Sequence, residues 1–145
     1  MLHQFVLVLT LSLFITPIYA KVKQEACPPL VYTEKFSSNK GFKIIEKATQ
    51  KTSHDSPIVF ALHGLGDRIE NFSKIHRFLP QNWRIIFVEA PIKYSRGFAW
   101  YRFRCMQSSQ DVSVSVKALN SLVGSYKAKY KKAPIGILVL VKAGS

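Results

Sequence analysis

The chain has 145 residues, of which 48% are hydrophobic and 12% aromatic; this is enough for one modest globular domain and excludes a disordered chain. Twenty-one Lys and Arg against 8 Asp and Glu give a formal charge of +13, which favours acidic partners such as anionic lipid surfaces, polyanions or negatively charged substrates. A solubilising surface without a specific partner explains the same charge. No nucleic-acid-binding motif and no repeat of basic and aromatic residues is present, so nucleic acid is not an expected partner.

The first 20 residues are interpreted as a secretory signal peptide. Phe5–Ile15 is apolar except for Thr10 and Ser12, and a cleavage site follows at Ala20. The alternative is an uncleaved membrane anchor, although the apolar run is short for a span. We therefore expect an exported protein, periplasmic or secreted, that is cleaved near Ala20.

Cys27 and Cys105 are the two cysteines of the chain. A disulfide between them suits an exported protein, and two separate thiols fit the sequence equally well, because spacing alone does not bring them together. Neither these cysteines nor His54, His63 and His76 show the spacing of metal ligands. We expect no metal and no cofactor.

A polar N-terminal extension, residues 21–56, precedes the main domain, residues 57–145. Phe42–Glu46 is predicted to form a short edge strand within the extension. The apolar, β-branched stretch 57–62 predicts a buried strand. A glycine-rich turn follows, after which Asp67 and Glu70 have the spacing of a helix-capping box.

Apolar residues in the next segment fall on one face of a predicted helix. They are Ile69, Phe72, Ile75, His76 and Leu79. Pro80 ends this helix, and Trp83–Val88 is a second apolar strand. Residues 92–108 are predicted to be a loop that is too long for a simple connection and is therefore a candidate functional segment.

The longest predicted helix follows this loop, with Ser109 as its cap and Asp111 favouring its N-terminus. Its apolar stripe steps by three and four residues. The stripe consists of Val112, Val116, Leu119, Val123, Tyr126 and Tyr130. Lysines between positions 127 and 132 suit the C-terminal end of the helix, and a lipid-binding patch is the alternative reading. Pro134 then introduces Ile135–Val141, a third predicted buried strand.

Strands and helices thus alternate along the chain, which predicts an α/β fold with a mostly parallel sheet and right-handed crossover helices. In such sheets ligands bind beyond the carboxyl ends of the strands, where the turn after residue 62 lies. The turn lacks the third glycine of a dinucleotide fingerprint, because Ile69 stands there, and it has no P-loop lysine. The chemistry left for a tight glycine turn after a sheet strand is an oxyanion hole for acyl transfer.

Three motifs in this order resemble the phospholipase/carboxylesterase branch of the α/β-hydrolases, which includes the acyl-protein thioesterases. They are Leu62-His63-Gly64-Leu65-Gly66-Asp67, then Glu89-Ala90-Pro91, then Gly97 to Trp100-Tyr101. The resemblance implies that the Leu65 N–H is an oxyanion donor and that His63, Gly64, Gly66 and Asp67 shape its loop. It also implies that Trp100 and Tyr101 line or brace the acyl side of the cleft; core packing is the alternative for both. In the family's sheet, strand 57–62 lies between strands 83–88 and 135–141.

The sequence departs from the family at its nucleophile. The family carries Gly-x-Ser-x-Gly directly after the strand that matches Ile135–Leu138, whereas this chain reads Val139-Leu140-Val141-Lys142 and lacks the later Asp and His. A one-base shift ahead of Val139 makes the codons compatible with Gly-Phe-Ser-Gln-Gly, with the Ser at the place of Val141. We therefore expect the N-terminal part of an exported serine ester or thioester hydrolase, inactive alone, that leaves strand 135–141 as an open edge. The alternative is a non-catalytic, basic α/β module that binds anionic surfaces.

Overall fold

The computed structural model describes residues 26–103 and 105–140; the predicted signal peptide and Val141 lie outside this part of the chain. The described helices and strands follow in chain order. They are α1 (Glu34–Ser37), β1 (Ile44–Lys47), β2 (Ile58–Leu62), α2 (Ile69–Phe72), a 3-10 helix (Ser73–Phe78), β3 (Arg84–Val88), β4 (Ile92–Tyr94), β5 (Gly97–Ala99), α3 (Ser108–Lys129) and β6 (Ile135–Val139). None of the described helices is long and apolar enough to cross a bilayer.

Four strands form the main sheet in the order β1-β3-β2-β6. Strand β2 pairs in parallel with both β3 and β6, and β1 pairs antiparallel with β3 at the edge. The α/β fold with a mostly parallel sheet is therefore confirmed, and β2 lies between the two strands that the resemblance implied. The predicted edge strand forms at Ile44–Lys47.

Side chains of β2 alternate between two apolar layers, which is why this strand is buried on both faces. Phe60 points to the layer under α3 and Ala61 to the layer under α2. The α3 layer also contains Ile86 and Val88 of β3, and the α2 layer contains Phe87. Burying each large apolar side chain stabilises the fold by about 1.5–3 kcal/mol. Strands β2 and β3 contribute to both layers, so their residues are apolar without alternation, and the sequence could therefore predict them as buried strands.

The second half of α3 packs as predicted, but its first half does not. Leu119, Val123 and Tyr126 pack on the core, whereas Val112 and Val116 are 40% and 48% exposed. In its first turns the helix buries two polar residues, Asp111 and Ser115, in place of the two valines. Both polar side chains bind the loop that precedes the helix. The cap prediction for Ser109 is wrong too, since the helix begins at Ser108 and Ser109 lies in its first turn; the N-cap residue is Gln107, which makes no side-chain capping bond.

The helix predicted at Ile69–Leu79 is a single α-helical turn that continues as a 3-10 helix. The buried residues Ile69 and Phe72 and the partly buried Ile75 recur every third residue, which is the 3-10 period. The capping box is wrong: Arg68 is the N-cap without a side-chain bond, and the carboxylate of Asp67 accepts from the Arg68 N–H at 2.7 Å.

Residues 92–108 are not simply a loop, because β4 and β5 form an antiparallel hairpin there. The N-terminal extension is bound to this hairpin: the Thr33 N–H donates to the Pro91 carbonyl at 2.6 Å. A disulfide joins Cys27 to Cys105, whose Cα atoms are 5.0 Å apart. Of the two alternatives left open by the sequence, the structure therefore has the disulfide and not two separate thiols.

Strand β6 is an edge of the described sheet and is not buried. Ile137 and Val139 are 65% and 56% exposed, so the expectation of a third buried strand is wrong for this chain. Ile135 at the start of β6 packs on the core, but the outer edge of β6 pairs with no strand of the described residues. Such an edge favours pairing with another strand.

Candidate functional site

The candidate site is the loop from His63 to Asp67, which follows β2 at the carboxyl edge of the sheet. Because β2 is a central strand, both its neighbours run to this same edge: Leu62 pairs with Val88 of β3 and with Val139 of β6. The loop therefore lies where parallel α/β sheets bind ligands.

Two hydrogen bonds fix the orientation of the peptide between Gly64 and Leu65. The Gly64 carbonyl accepts from Nδ1 of His63 at 2.8 Å and from the Asp67 N–H at 3.3 Å. The described peptides are all trans, so the Leu65 N–H points away from that carbonyl. Within residues 26–103 and 105–140 this N–H donates to no other group, and the Leu65 side chain is 47% exposed. The loop thus presents one unpaired backbone donor.

His63 is only 1% exposed, and its hydrogen bonds define its tautomer. Nε2 accepts from the Ala90 N–H at 3.0 Å, so the ring proton lies on Nδ1, where it is donated to Gly64. The ring packs against Phe72 and Trp100, with centroids 6.2 and 5.9 Å away. His63 is therefore a buried positioning residue for the loop.

The β4–β5 hairpin is bound to the other side of the loop. The Gly66 N–H donates to the Phe98 carbonyl at 2.9 Å, and the Phe98 N–H donates to the Asp67 carbonyl at 3.0 Å. Gly66 has a φ of +76°, which favours glycine. A Cβ on Gly97 would lie 2.2 Å from the Gly66 carbonyl oxygen, so the hairpin can approach this closely only with glycine there.

Trp100 and Tyr101 follow the hairpin and differ in their surroundings. The Trp100 indole N–H donates to the His63 carbonyl at 2.9 Å, and its ring lies 5.8 Å from Phe42 of the core. Tyr101, the next residue along the chain, is 39% exposed. Trp100 thus braces the end of β2, whereas Tyr101 is partly exposed.

Two residues that sequence reasoning missed hold this segment on α3. Arg102 donates from Nε and Nη2 to the two carboxylate oxygens of Asp111 at 2.9 and 3.0 Å, and Ser115 donates to the Trp100 carbonyl at 2.7 Å. The hydrogen bonds from Arg102 hold the pKa of the Asp111 carboxyl below its ordinary value. Hydrophobic periodicity could not predict the Arg102–Asp111 ion pair, because one partner lies in a loop and the other in a helix.

Strand β6 runs beside β2 to the start of the loop. The Leu140 N–H donates to the Leu62 carbonyl at 3.2 Å, so the two strands remain side by side to their ends, about 4.8 Å apart. Val141, the expected place of the nucleophile, lies one residue beyond the described segment. Among the described residues no group of three His, Cys, Asp or Glu side chains is arranged to hold a metal ion.

Comparisons with known proteins are limited to the fold. No protein-family model matches the sequence, and no curated protein matches it. A solved structure described as a phospholipase/carboxylesterase from Dyadobacter fermentans is similar, with a TM-score of 0.49 and 16% sequence identity. The alignment covers 68% of this chain and 47% of that one, so this chain spans about half the length of its structural neighbour.

Proposed function

We propose that this chain carries the oxyanion-binding part of a serine hydrolase that acts on carboxylic ester or thioester bonds. The observation that supports the proposal is the Leu65 N–H, which is unpaired within the described residues, at the carboxyl edge of the central strand. Its peptide is oriented by the buried His63 before any ligand arrives, and such preorganised donors are what stabilises a developing oxyanion. The three sequence motifs favour the same chemistry.

The proposed reaction uses a catalytic Ser, His and Asp that the resemblance matches to no residue of this sequence. A serine attacks the acyl carbonyl, a histidine takes its proton, and an aspartate orients that histidine. The oxyanion is then bound by the Leu65 N–H and by the N–H of the residue after the serine. We place the serine directly after β6, at the position of Val141, because β6 runs parallel to β2 and ends beside the loop.

The acyl group would lie against apolar side chains at this edge. Tyr101 is partly exposed, and the exposed Leu65 side chain lies on the loop itself. We assign Tyr101 to the wall of the cleft and Trp100 to its support, because the indole of Trp100 is already bonded to His63. The substrate class is a small-molecule or lipid ester.

The nucleotide sequence from the codon of Val139 onward tests the assignment. We expect the neighbouring frame to encode Gly-x-Ser-x-Gly followed by an Asp and a His, and codons that exclude this reading would contradict it. The chain as given should neither hydrolyse a p-nitrophenyl ester nor react with a serine-directed fluorophosphonate. The frame-restored protein should do both.

Two variants of the frame-restored protein then test the donor. Leu65→Pro removes the amide hydrogen, and we expect kcat to fall by about 10²–10³ with a small change in KM. Leu65→Ala is the matched control, because it removes the side chain and keeps the N–H. Melting curves show whether both variants fold. Equal kcat values in two folded variants would exclude the Leu65 N–H from catalysis.

We further propose that the protein is exported. The disulfide between Cys27 and Cys105 supports this, because such bonds persist in oxidising compartments and are rare in the cytosol of most cells. Mass spectrometry of the protein from its native host is expected to find a mature N-terminus directly after Ala20. An intact N-terminus with both thiols reduced would contradict export.

A further inference from the structure

A second candidate site lies beside the loop, in a cavity of about 500 Å³ between α1, the start of β1 and the hairpin. Four lysines line it: Lys35, Lys40, Lys43 and Lys93. Phe98, whose backbone is bonded to the His63–Asp67 loop, forms part of the same wall. The volume is in the range of sites that take a small organic ligand.

The charges around the cavity are unbalanced. Only Lys43 among the four has a carboxylate partner within the described residues; it pairs with Glu70 and, at 3.4 Å, with Glu89. Glu89 is 2% exposed and lies at the cavity, so it holds the Lys43 ammonium in place. Lysines at the cavity outnumber its carboxylates, Glu34 and Glu89, by four to two.

Three lysines of the cavity, Lys35, Lys40 and Lys93, have no partner carboxylate within the described residues, and a bound anion would supply their missing counter-charge. The ammonium group of lysine acts as a point charge and suits a phosphate, which offers several oxygens. Planar carboxylates are more often bound by the guanidinium group of arginine through two parallel hydrogen bonds. The fixed Lys43 supplies one preset contact. Lys40 and Lys93 line the same cavity from different segments, the turn before β1 and strand β4.

We propose that this cavity binds a phosphomonoester, with Lys35, Lys40, Lys43 and Lys93 as its ligands. Two sources carry this group: a soluble organic phosphate and the head group of phosphatidic acid. The proposal does not depend on the hydrolase activity, because it concerns binding at residues that the proposed oxyanion site does not use.

Calorimetric titration of the full chain with glycerol 3-phosphate, with glycerol as the neutral control, tests the soluble source. Sedimentation with vesicles of phosphatidylcholine, with and without phosphatidic acid, tests the lipid source. The double variant Lys40→Gln/Lys93→Gln should weaken whichever binding is found by at least about tenfold, because each lost contact to an ionised group contributes roughly that factor. The control, Lys131→Gln/Lys132→Gln, removes the same charge at the opposite end of the sheet.

Saturable binding of glycerol 3-phosphate that only the cavity variant weakens would establish the site with a soluble ligand. Binding limited to phosphatidic acid vesicles, with the same dependence on the variants, would establish it with a lipid ligand. Equal weakening by both double variants would assign the binding to the overall +13 charge and overturn the proposal. The absence of binding to either probe would overturn it as well.

Discussion

Replacing His63 by alanine tests the central structural argument, that one buried imidazole orients the loop. The substitution leaves the buried Ala90 N–H without its acceptor, which costs about 1–3 kcal/mol. It also removes a ring that is 1% exposed and packs on Phe72 and Trp100, for about 2 kcal/mol more. We expect the free energy of unfolding to fall by about 3–5 kcal/mol, a large part of the 5–15 kcal/mol of a typical domain.

Two further variants separate the hydrogen bonds of His63. In His63→Asn the side-chain amide N–H lies near the place of Nδ1 and can still donate to Gly64. In His63→Gln the side-chain oxygen lies near the place of Nε2 and can still accept from Ala90. Each should recover about 1 kcal/mol relative to alanine.

Guanidinium unfolding followed by tryptophan fluorescence measures these differences, since the Trp100 indole is bonded to the His63 carbonyl. The control is His54→Ala, whose side chain is 65% exposed; it should change stability by less than about 0.5 kcal/mol. A loss below about 1 kcal/mol for His63→Ala, similar to the control, would refute the idea that this ring holds the loop.

Three other perturbations test the surroundings of the site. Arg102 depresses the pKa of Asp111, so the stability that Asp111→Asn removes is present above about pH 4 and is lost as pH falls through the pKa of the folded state. The melting temperatures of the unsubstituted protein and of Asp111→Asn should therefore converge between about pH 7 and about pH 2, and a constant difference would contradict this. Reducing the Cys27–Cys105 disulfide, with 78 residues of separation, should lower stability by about 4 kcal/mol in denaturant titrations, and an unchanged midpoint would contradict this. Ile137→Lys should reduce light scattering, whereas unchanged scattering would show that the β6 edge does not drive association.

The central strands could be predicted from the sequence because their residues are buried on both faces. Phe60 and Ala61 of β2, like Ile86 and Phe87 of β3, are apolar without alternation, as strands covered on two sides are. Burial depends on the neighbours that are present, however. Strand β6 is similarly apolar, yet Ile137 and Val139 are exposed, because this strand lies at the edge of the described sheet.

The helices were predicted less well where polar contacts decide the packing. Val112 and Val116 satisfy the apolar stripe of α3, yet the helix turns Asp111 and Ser115 inward to bind the segment at Trp100. Hydrophobic periodicity records only apolar burial, so it cannot register a buried ion pair or a hydroxyl that donates to a loop carbonyl.

The candidate site, too, could be predicted only in part from the sequence. The glycines of the His63–Asp67 loop indicate a tight turn, but which of its amides is unpaired depends on contacts from distant segments. Gly66 is bonded by Phe98 of the hairpin, and the Gly64 carbonyl is held by His63, whose ring is itself fixed by Ala90. The Leu65 N–H is left over only after these bonds are made.

This interdependence gives a physical reason for the three motifs to occur together. The Gly97 motif approaches the loop so closely that a Cβ on Gly97 would overlap the Gly66 carbonyl. The backbone N–H of Ala90, in the second motif, donates the hydrogen bond that Nε2 of His63 accepts. Each motif therefore supplies a contact that another requires, although at least 21 residues separate the other two motifs from Asp67, the end of the loop. The loop, the segment at Ala90 and the β4–β5 hairpin therefore form one hydrogen-bonded unit, and the Leu65 N–H is a donor that this unit leaves unpaired within the described residues. The orientation of this amide thus depends on all three motifs and not on the glycines of the turn alone.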